Sequence, residues 1–173
     1  MAKILLHPIG HERDAVLDDA TWERQLALMQ EREAPITEGR AWVADGWGDK
    51  GRGRVHRKGK LTVWERFELL RDDDAPVLPV GTFVNYKLEF GERKQTSPGA
   101  GVVTAFTRVH DRWVMVIAND NTVASGSWWP KTPEKIIRAQ VMAERLRVPV
   151  LYLVDCSGLF LPEQANTFPG GKG

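Results

Sequence analysis

The stretch from Val102 to Val154 most constrains what this chain can fold into. Val102 to Val109 and Arg112 to Ala118 are two apolar, β-branched runs separated only by His110-Asp111. Such a pattern predicts two strands joined by a tight turn, a hairpin. In the second run Trp113, Met115 and Ile117 alternate with Val114 and Val116, so apolar side chains leave on both faces. Pro133 to Leu146 then predicts a helix, with Ile136, Ile137, Ala139, Val141, Met142, Ala143 and Leu146 as its apolar set. Proline is tolerated near a first turn because its missing N–H has no intrahelical partner there. Val148 to Val154 is continuously apolar, which predicts a buried strand. Strand, strand, helix, strand implies an α/β layer whose last strand is reached by a crossover.

Upstream, Asp14 to Glu33 reads as an amphipathic helix through Val16, Leu17, Trp22, Leu26 and Met29, ended by Pro35. Gly39 to Lys60 is rich in glycine and base and reads as a loop or linker. Thr62 with Glu65 three residues later forms a capping-box pattern, so a helix is expected over Val63 to Arg71, stopped by Asp72-Asp73-Asp74 and Pro76. Val77 to Phe90 is expected to hold a short strand, and Gly91 to Pro98 a polar, poorly ordered loop. The organisation expected is residues 1–60 as N-terminal helix and basic linker, and 61–173 as the main domain.

Composition bounds the function classes. The 173 residues are enough to bury a core in one domain. A net charge of +1 gives no global argument for nucleic acid or membrane. Cys156 is the single cysteine, so no disulfide framework exists, in keeping with a cytoplasmic protein. No apolar stretch approaches the roughly 20 residues of a membrane span.

Three constellations could carry chemistry. Lys50, Arg52, Arg54, Arg57, Lys58 and Lys60 are interleaved with glycine. They read either as a phosphate site or as a solvated linker, and charge runs are more often the latter. No aromatics interleave as on a base-stacking platform. Asn119-Asp120-Asn121-Thr122 and Ser125-Gly126-Ser127-Trp128-Trp129-Pro130 leave the hairpin, and their small residues allow close backbone approach to a ligand. The plain alternative is a turn before a helix, with the tryptophans in the core. Asp155-Cys156-Ser157-Gly158 ends the last strand, where open α/β sheets bind ligands and backbone N–H groups can form an oxyanion hole. A strand terminus is again the plain alternative. Cys156 as a nucleophile lacks a marked base, since His7, His11, His56 and His110 all lie in earlier segments. No His or Cys cluster has metal-ligand spacing.

Taken in order, these pieces resemble the biotin-dependent acyl-CoA carboxyltransferase subunits. The resemblance rests on Lys58-Gly59-Lys60-Leu61-Thr62-Val63-Trp64-Glu65-Arg66, then Gly99-Ala100-Gly101-Val102-Val103-Thr104, then Asn119-Asp120. It continues through Lys135-Ile136-Ile137-Arg138-Ala139 and closes on Asp155-Cys156-Ser157-Gly158. It covers roughly residues 50–170. The Cys-Ser-Gly turn with Trp128-Trp129-Pro130 looks closest to the glutaconyl-CoA decarboxylase branch.

The resemblance implies an α/β, partial crotonase-like domain with N-terminal helices, about half of one such domain. It implies transfer of a carboxyl group between biotin and the α-carbon of an acyl-CoA through an enolate held by backbone N–H groups. By position Gly158 and Leu159 would be catalytic, and Gly126, Ser127, Cys156 and Ser157 would bind CoA. No metal is implied. Family members continue for several hundred residues, so a complementary chain or the remainder of the subunit is expected as partner, and activity from this stretch alone is not. A biotin carrier, a biotin carboxylase component and a homo-oligomer are expected too; biotin would come on the carrier because no Met-Lys-Met site is present. A non-catalytic scaffold derived from the family is the alternative.

Overall fold

The structure, a computed structural model, describes Gly10 and residues 12–167. The chain divides into two compact units, Met1–Glu38 and Gly39–Gly173. In the first, a single 3-10 turn at Arg13–Ala15 precedes helix α1, Asp19–Asp45. Asp18 caps it by accepting the Thr21 N–H at 2.8 Å and the Thr21 hydroxyl at 2.9 Å. Those bonds favour the ionised carboxylate and hold its pKa below the usual range.

The helix expected over Asp14 to Glu33 therefore starts later, and it does not stop at Pro35. Proline in a helix interior costs about 3 kcal/mol. Within the second unit the stretch beyond it is packed well enough to continue. Gly39 is buried under Phe83 and Tyr86, Trp42 meets Tyr86 edge-on at 5.4 Å, and the Ala44 carbonyl accepts the Trp64 indole N–H at 2.9 Å.

Gly39 to Lys60, expected as a loop, is also helical: after the end of α1 comes α2, Gly48–Arg57. Its glycines reflect close approach. A Cβ on Gly51 would stand 2.8 Å from the Thr122 carbonyl. Helix α3, Val63–Leu70, begins with the expected capping box, Thr62 and Glu65 exchanging bonds of 3.4 and 2.6 Å. The acidic run after it has a further task. Asp72 accepts the N–H groups of His110 and Asp111 at 2.7 and 2.8 Å and so fixes the hairpin turn.

Strand β1, Leu78–Val80, lies beside β4, Val102–Val109. β4 pairs antiparallel with β5, Arg112–Asn119, and β5 pairs parallel with β6, Val150–Leu153. The sheet order is β1-β4-β5-β6, with helix α4, Thr132–Leu146, as the crossover. Alternation along β5 splits the core. Val114, Val116 and Ala118 pack with Val63 and Phe67 of α3 on one face. Met115 and Ile117 pack with Ala139 and Ala143 of α4 on the other.

Two expectations about strands change. The last run is not fully buried. It is an edge strand paired with β5, and Tyr152 and Val154 are 47% and 71% exposed. The loop Gly91 to Pro98 is ordered by pairing. β2, Glu89–Phe90, and β3, Gln95–Thr96, form a small hairpin, and Ser97 and Pro98 are buried.

A third core gathers beside the sheet's carboxyl end. Trp129 is fully buried there and stacks on Phe160 with ring centroids 3.8 Å apart. A short helix α5, Gln164–Thr167, follows.

Candidate functional site

Two loops leave the carboxyl ends of neighbouring strands and meet. The first runs from Asn119 at the end of β5 to Trp128. The second runs from Asp155, after β6, to Leu159. A short parallel bridge joins them: the Trp128 N–H donates to the Gly158 carbonyl and the Phe160 N–H to the Trp128 carbonyl, both at 2.8 Å. Ser127 and Ser157 hydroxyls meet at 2.9 Å, and each lies within hydrogen-bond distance of the Ala124 carbonyl, at 2.8 and 3.1 Å; with one proton apiece, one donates to that carbonyl and the other to its neighbour's oxygen. Gly126, at φ 77°, lies so close to Asp155 that a Cβ would overlap its carbonyl. Of the six expected site residues, Gly126, Ser127, Ser157, Gly158 and Leu159 are thus brought together. Cys156 is exposed, and its Sγ lies against the Gly158 backbone, accepting the N–H at 3.3 Å. The Leu159 N–H meets no acceptor among the described residues.

Residues that sequence reasoning left unassigned hold the two loops in place. Arg66 donates to the Leu153 carbonyl at 3.1 Å and the Asn119 carbonyl at 2.6 Å, clamping the ends of β6 and β5. The Asn119 amide donates to the Gly126 carbonyl, and its oxygen accepts the Asp155 N–H. Asn121 donates to the Leu61 carbonyl and to Asp155 Oδ2 at 2.8 and 2.9 Å. Lys60 Nζ pairs with Asp155 Oδ1 at 2.6 Å. Burial raises the Asp155 pKa, but Lys60, Asn121 and Arg66 outweigh that and hold it below the usual carboxylate range. The Gly-Lys-Leu-Thr…Glu-Arg spacing carried this signal. Its Lys60 and Arg66 reach the loops, and its Thr62 and Glu65 start the helix that aims Arg66.

The basic run is also resolved by the fold. Lys50, Arg54 and Arg57 share one face of α2 at helical spacing. With Arg93 and Lys94 from the β2–β3 turn and the Trp47 ring they line a groove of about 460 Å³. Arg54 lies over that ring, 5.5 Å from its centroid, and donates to the Thr122 carbonyl at 2.9 Å. It also borders a separate, much smaller cleft with Lys58, Lys60, Ser125 and Asp155, so this one side chain stands between the groove and the start of the turn after β6. The linker is thus a helix, though Lys50, Arg57, Lys58 and Lys60 remain exposed to solvent as that reading expects.

The carboxyl transferase domain family model matches residues 54–173. This chain belongs to that family. It is 40% identical over 146 residues to an uncharacterized carboxylase, YngE, of Bacillus subtilis, covering 84% of this chain and 27% of that protein. To a probable mitochondrial methylcrotonoyl-CoA carboxylase beta chain of Drosophila melanogaster it is 41% identical over 127 residues, covering 73% and 22%. The alpha subunit of glutaconyl-CoA decarboxylase from Acidaminococcus fermentans, the branch expected from Cys156, is 30% identical over 119 residues, covering 69% and 19%.

Among solved structures, the transcarboxylase 12S hexamer superposes with a TM-score of 0.72 at 28% identity, covering 80% of this chain and 27% of that one. The chain thus spans about a quarter of the length of these carboxyltransferase relatives. Its fold is the expected α/β, crotonase-like one with N-terminal helices. No described helix is long and apolar enough to cross a membrane.

Proposed function

We propose that this chain supplies the acyl-CoA side of a biotin-dependent carboxyltransferase. The observation that carries the reading is that Arg54 lines both the five-cation groove and the small cleft at Asp155, where the strapped turn after β6 begins. CoA carries a diphosphate and a further phosphate, which suit the groove. The acyl thioester would then lie at Ser157, Gly158 and Leu159. The relatives support this: one from Mycobacterium tuberculosis is named a biotin-dependent 3-methylcrotonyl-coenzyme A carboxylase subunit, and the transcarboxylase 12S structure holds hydrolyzed methylmalonyl-coenzyme A.

The chemistry needed is stabilisation of negative charge on a thioester oxygen while the acyl α-carbon is a carbanion equivalent. Fixed backbone N–H groups do this without proton transfer, and one such donor contributes on the order of 3 kcal/mol. The Leu159 N–H is the open donor. The Gly158 N–H is held only by a thiol, a weak acceptor that a side-chain rotation removes. Gly126, by its close approach to Asp155, and Arg66, through the strand ends, fix the turn's position. Ser127 and Ser157 tie the two loops on the CoA side.

Biotin, when bound, supplies the transferable carboxyl group. The turn's N–H groups suit its ureido oxygen as they suit a thioester's. This sequence contains no Met-Lys-Met site for attaching it, so biotin would enter on a carrier. That role places the chain with the rest of a carboxyltransferase subunit or a complementary chain, a biotin carboxylase and a homo-oligomeric assembly, in the cytoplasm.

The test is calorimetric titration of acetyl-CoA into the full chain at low and moderate salt. Arg54→Gln with Arg57→Gln is expected to weaken binding about tenfold or more and to flatten its salt dependence, since bonds to charged groups contribute about 1.5–3 kcal/mol. Gly158→Val is expected to abolish carboxyl transfer in the reconstituted assembly while the groove still binds CoA. Undiminished transfer in that variant sinks the site assignment. A chain that binds no CoA but co-purifies with a biotin carrier is the scaffold alternative.

A further inference from the structure

A second cavity, of about 510 Å³, lies between the carboxyl-terminal end of α1, α3, β1 and the start of β4. Its walls are apolar, with Val43, Trp64, Val80 and Val103 among them. Arg40, exposed, stands at its rim, Thr82 and Thr104 also border it, and two charged groups are buried within the lining: Asp120 is 3% exposed and Lys135 6%. Neither takes part in the turn chemistry proposed above.

Each has one hydrogen-bonding position left over. Asp120 Oδ1 accepts both the N–H and the hydroxyl of Thr122, at 3.0 and 2.6 Å, while Oδ2 accepts nothing from the described residues. Lys135 Nζ donates to the carbonyls of Gly99 at 2.8 Å and Val102 at 2.7 Å, which leaves the third ammonium N–H. The two attract each other through space but share no hydrogen bond. Burial pushes the Lys135 ammonium down to about 7 and the Asp120 carboxyl up, as groups short of solvation behave.

We propose that this cavity binds a small neutral molecule with a primary-amide head and a short apolar tail. The head's carbonyl accepts from Lys135 Nζ and its N–H donates to Asp120 Oδ2. The tail lies along Val43, Trp64, Val80 and Val103. A carboxylate head would face the Asp120 charge, and an ammonium head would face Lys135. An amide offers each residue the complementary half at no net charge. The volume is that of a small-ligand pocket, in the range of about 300–1,000 Å³. This site is independent of the CoA reading and stands or falls without it.

The experiment titrates the full chain with hexanamide, hexanoate and hexylamine, followed by saturation-transfer NMR and thermal shift. Hexanamide is expected to bind and raise the melting temperature, with the two charged analogues at least tenfold weaker. Asp120→Asn is expected to weaken hexanamide about tenfold. Ala44→Phe, an exposed mouth residue whose enlargement fills the cavity without touching the core, is expected to abolish binding with an unchanged circular dichroism spectrum. No binding of hexanamide, equal binding of all three probes, or undiminished binding to Ala44→Phe overturns the proposal.

Discussion

At the scale of single residues, the meeting of the loops after β5 and β6 is set by one contact that leaves no room for a side chain. Gly126 backs onto the Asp155 carbonyl, whereas the space around a Cβ at Gly158 is open. Both sit at positive φ, 77° and 101°. The two glycines therefore separate strain from collision. Gly126→Ala is expected to cost about 2–4 kcal/mol, combining overpacking with a left-handed backbone. Gly158→Ala is expected to cost only about 1 kcal/mol, the conformational part alone. Urea denaturation of both variants checks this, and equal losses would contradict it.

Lys135 gives a pH dependence of definite sign. Its folded pKa of about 7 lies below the ordinary 10.5, so the unfolded chain holds the extra proton between those values. Stability rises with pH wherever the unfolded state binds more protons. The difference in stability between the wild-type chain and Lys135→Met should therefore shift in favour of wild type from pH 7 to 10. A difference that stays flat across that window removes the assignment.

At the scale of elements, legibility in the sequence followed how local the cause was. The capping box of α3 lies within four residues, and it was readable. Thr62→Ala should cost about 1 kcal/mol. Bonds to His56 and to the Thr62 backbone hold the Glu65 pKa down to about 2, below the ordinary 4.5. Its stabilising contribution is present above pH 4.5 and lost as pH falls toward 2. The acid limb of a stability profile should therefore be shallower in Glu65→Gln.

The hairpin and the crossover were readable because period-2 alternation and the helical repeat are both short-range signals. Helix α2 was not, because its cause is remote: Gly51 answers to the Thr122 carbonyl, and Arg54 to that same carbonyl. In the candidate site, Gly126, Ser127, Ser157, Gly158 and Leu159 were legible as small residues at strand ends. The clamp by Arg66 was not, since its carbonyl partners at Asn119 and Leu153 are contributed by distant strands. Continuous hydrophobicity misled at β6, where an apolar run occupies a sheet edge with Tyr152 and Val154 facing out.

At the scale of the whole molecule, that edge and the groove on α2 are the surfaces with most to recognise. An apolar edge strand is a template for further strand pairing. The chain by itself is expected to self-associate with rising concentration, and Tyr152→Lys with Val154→Lys should suppress it in sedimentation velocity. Unchanged association would place the contact elsewhere. The groove concentrates cations that make no ion pair among the described residues, on a chain whose net charge is only +1, so its attraction for anions is local and should fade with salt.

The Arg66 clamp and the Lys60–Asp155 pair also have a bearing on the order of events during synthesis. Both basic residues leave the ribosome early, while Leu153 and Asp155 follow about 90 residues later, a delay of several seconds at ordinary elongation rates of about 5–20 residues per second. Until then two cationic side chains wait without their partners, and the loop after β5 lacks the neighbour that shapes it. The turn after β6 thus brings the partners that lock two basic residues laid down long before it.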